Sequence, residues 1–132
     1  MNRRMLATAL AAALTLGAAQ AAAQPPEPPP LFLFLYRQGP AWEAGKPINQ
    51  QKLAPHAAYI RKLMAEGKVV AGGPWADGER GPADGGMAIV RAASREEAKA
   101  LLAADPAITS GVFAADIRRW QPAIDSGKPL RP

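Results

Sequence analysis

The stretch LFLFLY at residues 31–36 decides the fold, because it is an unbroken run of apolar and aromatic residues between Pro30 and Gly39-Pro40. A run of this length without polar alternation is typical of a strand that is buried on both faces. The chain has 132 residues, which is enough for one hydrophobic core and no more. Everything else in the sequence therefore has to pack around this strand.

Two helices and three further strands are predicted downstream. The first helix begins at Pro55, a residue favoured in a first turn, and covers 55–66 before Gly67 ends it. The second helix opens with the capping box Ser94-Arg95-Glu96-Glu97 and ends at Asp105-Pro106, because proline disfavours helical geometry in the residue before it. Short apolar runs predict the other strands, at 68–71, 87–90 and 112–120.

The resulting order, β-α-β-β-α-β, is that of the ferredoxin-like plait, an α+β fold. It predicts an antiparallel four-stranded sheet in spatial order 4-1-3-2, with both helices on one face. The first and third strands are apolar on both sides, so the face without helices would leave an exposed apolar patch in a monomer. We therefore expect a homodimer whose two sheets face each other, as in a dimeric α+β barrel.

The first 23 residues have the three parts of an export signal. Asn2-Arg3-Arg4 is basic, Met5–Ala18 is apolar, and small residues at 19–21 or 21–23 offer a cleavage site. A membrane anchor is the alternative, but an apolar stretch of about 14 residues is shorter than the roughly 20 that cross a bilayer. We expect residues 1–23 to be removed, leaving a periplasmic or secreted protein without a stable membrane anchor.

The predicted domain covers residues 31–125. A proline-rich linker (QPPEPPP, 24–30) precedes it, and a flexible tail (126–132) follows. Lys and Arg number 16 against 11 Asp and Glu, but they form no continuous basic face, so we expect no nucleic-acid partner. The absence of Cys and the presence of a single His argue against disulfides, a cysteine nucleophile and a transition-metal site. We expect neither a metal nor a cofactor.

Residues able to carry chemistry converge at one end of the predicted plait. The loop after the first strand, the start of the first helix, the hairpin between the second and third strands and the end of the second helix all meet there. A mouth of this kind, with aromatic residues around a few polar ones, is typical of a small-ligand site. The candidate catalytic residues are His56, Asp105 and Asp77, and the candidate ligand contacts are Trp42, Trp75 and Tyr36.

Electrostatics favour a pairing of His56 with a carboxylate. His56 lies in a first helical turn, where the helix dipole disfavours an imidazolium and keeps the ring a neutral base near pH 7. Asp105 is predicted at a helix C-terminus, where a carboxylate costs about 0.3–1 kcal/mol without a donor. A hydrogen bond between them would stabilise both, with Asp77 as the second candidate partner. No serine is placed as a nucleophile, so we expect proton transfer.

Each of these residues also has a structural interpretation. A single His on an apolar helical stripe can be a core residue, Asp77 in Ala-Asp-Gly can be a turn residue, and Asp105 before proline can simply end a helix. Trp42 and Trp75 can seal loops over the core. Only their convergence at one edge favours a functional site.

The motifs together resemble the YciI-like (YCII-related) family of the dimeric α+β barrel superfamily, from Leu31 to about Asp125. The matching motifs are Gly39-Pro40-Ala41-Trp42, His56-Ala57-Ala58-Tyr59-Ile60, Gly73-Pro74-x-x-Asp77-Gly78, Ala104-Asp105-Pro106 followed by Gly111, and Trp120. The resemblance implies a homodimer and a site centred on His56 and Asp105, with Asp77 nearby. It also implies a lyase, dehydrohalogenase or isomerase type of reaction on a small cyclic or aromatic substrate.

Two functions stay open at this point. The first is a cofactor-free enzyme in which His56 and Asp105 perform general acid/base chemistry. The alternative is a non-catalytic dimeric module that binds a small ligand in the same pocket and uses His56 as a hydrogen-bond partner.

The export signal gives the first testable prediction. In a fractionated host, we expect the mature chain in the periplasm with Ala22 or Gln24 at its N-terminus, because the small residues before these positions suit signal cleavage. Mass spectrometry of the native protein measures this directly. A native protein that retains Met1 would contradict the prediction.

Overall fold

The computed structural model describes residues 22–77 and 84–130. All but the last two residues of the predicted signal peptide lie outside the described residues, as do the middle of the hairpin between the second and third strands and the end of the predicted tail. In the part of the chain that is described, no helix is both long enough and apolar enough to cross a membrane.

The described chain forms four strands, three α-helices and one turn of 3₁₀ helix at Ile48–Gln50. Their order confirms the predicted β-α-β-β-α-β arrangement, with one short helix added before the last strand. The bounds are β1 Leu31–Gln38, α1 Ala54–Ala65, β2 Val69–Pro74, β3 Gly86–Arg91, α2 Arg95–Ala103, α3 Pro106–Thr109 and β4 Phe113–Trp120.

The sheet has the order β2-β3-β1-β4 and is antiparallel throughout, which confirms the predicted topology. β1 lies in the centre, pairing with β3 on one side and with β4 over its whole length on the other. The helix start predicted at the capping box is also present: the Ser94 side chain accepts a hydrogen bond from the Glu97 N–H at 3.1 Å.

Burial alternates along β1. Phe32, Phe34 and Tyr36 are buried under the helices, where Leu63 of α1 and Leu102 of α2 join the same core. The intervening leucines are only half-buried, and so is Ile89, which lies opposite Leu33 on β3. Within one chain, therefore, the second face of the central strands lacks the cover that their sequence predicts.

β2 differs from its prediction, because it runs on through Gly72, Gly73 and Pro74. Pairing with β3 outweighs the low strand propensity of these residues, and proline is tolerated because β2 is an edge strand. The register shifts by one residue between Val69 and Ala71. Opposite Pro74, Gly86 has to be glycine, because a Cβ there would collide with the Gly73 carbonyl oxygen.

α3 was not predicted from the sequence. It follows α2 after a break of two residues and ends before Gly111, which has a φ of 77° and so lets the chain turn into β4. The short helix packs against both α1 and β4. This places the break between α2 and α3 beside the first turn of α1.

Candidate functional site

Asp105, in the break between α2 and α3, is fully buried and is the centre of the site. Its carboxylate accepts hydrogen bonds from three different elements. Tyr36 on β1 donates its hydroxyl to Oδ2 at 2.9 Å, and the Ala107 N–H donates to Oδ1 at 2.9 Å. The third donor is His56 on α1, whose Nδ1 lies 2.8 Å from Oδ1 and 2.9 Å from Oδ2.

The structure confirms that Asp105 follows the C-terminal end of α2 and gives it a second role. Pro106 does end α2, but it is also the first residue of α3, a position where proline is favoured. Asp105 is therefore the N-cap of α3, and its side chain receives the Ala107 N–H that the helix itself leaves unpaired. Its three donors offset the cost expected for a carboxylate that follows the C-terminus of α2.

His56 lies in the first turn of α1, and its side chain is 17 % exposed. The pairing with Asp105 is the contact that the topology predicted. Because a carboxylate can only accept, Nδ1 must be the donor, and in the neutral imidazole the proton is then absent from Nε2. The geometry thus fixes the tautomer and leaves Nε2 with a free lone pair.

Aromatic rings hold the imidazole in place. The rings of Tyr36 and Phe113 meet the His56 ring edge-on, with centroids 5.2 Å and 5.6 Å away. Trp42, from the loop after β1, stacks on Phe113 at 5.9 Å. Trp42 thus supports the site through Phe113. Sequence reasoning missed Phe113, since it is an ordinary strand residue whose role depends on its neighbours in space.

Tyr36 was predicted to contact a ligand, yet the structure directs its hydroxyl to Asp105. Burial, and next the negative charge of Asp105, raise the pKa of Tyr36 far above its usual range. Its hydroxyl therefore stays protonated and remains a donor at all physiological pH values. Tyr59, on α1, donates instead to the Leu101 carbonyl at 2.8 Å, and burial likewise raises its pKa.

Sequence reasoning also missed Gln51, a polar residue that is buried just before α1. Its side chain accepts a hydrogen bond from the Glu43 N–H and donates to the carbonyls of Glu43 and Lys46, at 2.8–2.9 Å. These bonds attach the loop that carries Trp42 to the start of α1. Nothing in the local sequence distinguishes Gln51 from an exposed glutamine.

A cleft of about 600 Å³ opens beside the site. It shares Tyr36 with the cluster around Asp105, but His56 does not line it. Trp75 and Asp77 are both exposed here, and among the described contacts Asp77 makes no ion pair with His56. The structure therefore brings together His56, Asp105 and Tyr36 and leaves Asp77 and Trp75 at the cleft. The cleft is lined by Tyr36, Arg37, Gln38, Trp75, Asp77 and Asp84.

Comparison with known proteins assigns the chain to a family. Residues 31–121 match the YCII-related domain, so the protein belongs to the YCII-related family. An uncharacterised Bacillus subtilis protein, YjpA, is 34 % identical over 74 residues, which are 56 % of this chain and 81 % of YjpA.

One similar solved structure is the 5-chloro-2-hydroxyhydroquinone dehydrochlorinase TftG from Burkholderia phenoliruptrix, in complex with 2,5-dihydroxybenzoquinone. It has a TM-score of 0.53 and 30 % identity to this chain. The match covers 69 % of this chain and 93 % of the dehydrochlorinase.

The three bonds on Asp105 give a prediction about stability. We expect Asp105→Ala to lower the free energy of unfolding by about 2–4 kcal/mol, because two buried donors and the imidazole lose their acceptor together. Urea unfolding followed by circular dichroism measures this loss. The matched control is Asp77→Ala, which removes an exposed carboxylate and should change the stability little. Equal stability of the two variants would contradict the prediction.

Proposed function

We propose that the protein is a cofactor-free enzyme in which His56 Nε2 moves a proton to and from a small hydroxylated ring. The observation that carries the proposal is the pairing of His56 Nδ1 with the buried Asp105 carboxylate. That pairing leaves one basic nitrogen on the only imidazole of the chain, on a side chain that is partly open to solvent. A fixed tautomer with a free Nε2 is what a general base requires.

The proposed step is a single proton transfer. A substrate O–H or C–H bond breaks, its proton goes to Nε2, and its electron pair stays on the substrate. The imidazolium formed is stabilised by the Asp105 carboxylate at 2.8 Å. His56 can then return the proton to the substrate or to the leaving group, so that the imidazole is neutral again at the end of the cycle.

The substrate class rests on the similar structure and on the aromatic surroundings. The related dehydrochlorinase is named for a chlorinated hydroxyhydroquinone and was solved with a dihydroxylated quinone. In this chain, the rings of Tyr36 and Phe113 flank His56, and Trp42 stacks on Phe113. Aromatic surroundings of this kind suit a flat ring. Lyase, dehydrohalogenase and isomerase reactions all begin with proton removal and differ in whether the electron pair then expels a group or shifts a double bond.

Turnover of chlorinated and unchlorinated hydroxyhydroquinones tests the proposal. We expect His56→Ala to lower kcat by about 100-fold or more, because no other base is present at the dyad. Its thermal stability should stay within about 1–2 kcal/mol of the wild type. Asp105→Asn should fold and yet lose rate, because an amide no longer fixes the tautomer. Product formation is followed by absorbance and liquid chromatography.

The control for this series is Asp77→Asn at the cleft, which should retain most of the activity. If no ring is turned over but dihydroxybenzoquinone binds in a way that needs His56, the enzyme proposal fails. The non-catalytic ligand-binding function then replaces it. If His56→Ala retains full turnover, His56 is not the base.

We further propose that the protein is exported and acts as a homodimer. The dimer proposal rests on the half-buried face formed by Leu31, Leu33 and Leu35 of β1 with Met87 and Ile89 of β3. Five large apolar side chains on one sheet face form a patch of the kind that marks a protein interface. A second copy of the same face would cover them.

Ile89→Asp tests the dimer. Burying an unpaired carboxylate between two sheets costs several kcal/mol, about 3–5 by analogy with broken buried ion pairs, so we expect this variant to be monomeric or unfolded. The control is Ala100→Asp on the exposed side of α2, which should leave the assembly unchanged. Light scattering after size exclusion measures both. A well-folded wild type that is monomeric at micromolar concentration would contradict the proposal.

A further inference from the structure

Each oxygen of the Asp105 carboxylate has a donor of its own before His56 is considered. Oδ1 accepts the Ala107 N–H and Oδ2 accepts the Tyr36 hydroxyl, each at 2.9 Å. His56 Nδ1 lies almost equally far from the two oxygens, at 2.8 Å and 2.9 Å. The imidazole therefore faces the middle of a carboxylate that is held at both ends.

The two outer donors belong to parts of the fold that cannot easily move. Tyr36 is 5 % exposed in the central strand, and the Ala107 N–H is part of the backbone of α3. The terminal torsion of an aspartate is otherwise broad, so an unrestrained carboxylate can rotate. With one donor on each oxygen, rotation would break a buried hydrogen bond, which is costly. The plane of the carboxylate is thus set by the fold.

We propose that Tyr36 is a positioning residue of the His56–Asp105 pair: its buried hydroxyl fixes the Asp105 carboxylate and takes up part of its negative charge. The inference rests on the proposed function, in which His56 is the base. It assigns Tyr36 a role different from ligand contact, because the hydroxyl is already engaged inside the core. The Tyr36 hydroxyl acts on the reaction only through Asp105.

The Tyr36 hydroxyl also affects how strongly the Asp105 carboxylate stabilises a protonated His56. A hydrogen bond donated to a carboxylate stabilises its negative charge. The carboxylate then stabilises a neighbouring imidazolium less strongly. Removing the Tyr36 hydroxyl leaves Oδ2 with His56 as its only partner among the described contacts. The imidazolium then becomes more stable, and the base is harder to regenerate.

Few other titratable groups face the pair. From α1 there is Tyr59, whose hydroxyl is taken by the Leu101 carbonyl, and from β1 there is Tyr36 itself. Phe113 on β4 and Trp42 from the loop after β1 carry no charge, and α3 contributes a backbone N–H. Arg37, Asp77 and Asp84 lie at the cleft beyond Tyr36.

The single histidine makes the test direct, because one imidazole gives one set of NMR signals. We would titrate the ¹⁵N-labelled full chain without any substrate, as wild type, Tyr36→Phe and Tyr59→Phe. We expect Tyr36→Phe to move the titration midpoint of the imidazole to higher pH by about 0.5–1 unit. Tyr59→Phe is the matched control. It likewise removes one tyrosine hydroxyl, which is partly buried, but it should leave the titration midpoint unchanged.

A second experiment strengthens the hydrogen bond from Tyr36 to Asp105 and measures the same titration midpoint. The chain has two tyrosines, so Tyr36 is the only one left in the Tyr59→Phe variant. Replacing it biosynthetically with 3-fluorotyrosine gives a more acidic, stronger donor without changing the fold. We expect the midpoint to move to lower pH, opposite to Tyr36→Phe. The fluorotyrosine titration also tests the role of Tyr36 if the Tyr36→Phe variant does not fold.

A midpoint that is unmoved or lower in Tyr36→Phe, or unmoved by fluorination, would overturn the inference. Because the titration needs no substrate, it is independent of whether the protein is an enzyme. Turnover is the separate readout: in an active enzyme, Tyr36→Phe should lower kcat with little change in KM. An inactive wild type with shifted midpoints would refute the proposed function and still support the role of Tyr36.

Discussion

The buried carboxylate of Asp105 is the interaction on which both the fold and the site depend. A carboxylate removed from water has to be met by donors, and here they come from β1, α1 and α3. The three elements therefore meet at this one carboxylate. The hydrogen bonds that stabilise the packing at this end of the sheet therefore also orient the His56 ring and select its tautomer.

The two faces of the sheet contribute to different parts of the structure. The inner face of β1 supplies Phe34 to the core and Tyr36 to the site, while the outer face supplies the half-buried leucines. Because side chains alternate along a strand, neighbouring residues serve these two surfaces independently. The match to the YCII-related family covers 31–121 and so ends one residue after β4. Family membership thus concerns the sheet and its helices, whereas the proline-rich segment and the C-terminal tail lie outside it.

Much of this arrangement could be predicted from the sequence. The apolar run at 31–36 and the capping box at Ser94 located two of the elements, and the order of all six predicted the strand order. That strand order brings His56 and Asp105 to one edge. What escaped prediction has physical reasons. α3 has four residues and no periodicity, and Pro106 signals the end of one helix as well as the start of another. The Tyr36 hydroxyl could equally have met a ligand, because periodicity gives the side of a strand and not the partner of an atom.

The edge strand β2 has a consequence for how the protein behaves at high concentration. An exposed strand edge is a template on which another chain can add a strand and start an aggregate. The register shift between Val69 and Ala71 disturbs the regular spacing of donors and acceptors along this edge, and Pro74 contributes no N–H at its end. Addition of a strand at this edge is thereby discouraged. In the proposed dimer, by contrast, self-association through the half-buried face of β1 and β3 would end at two copies, because each copy covers the same face of the other.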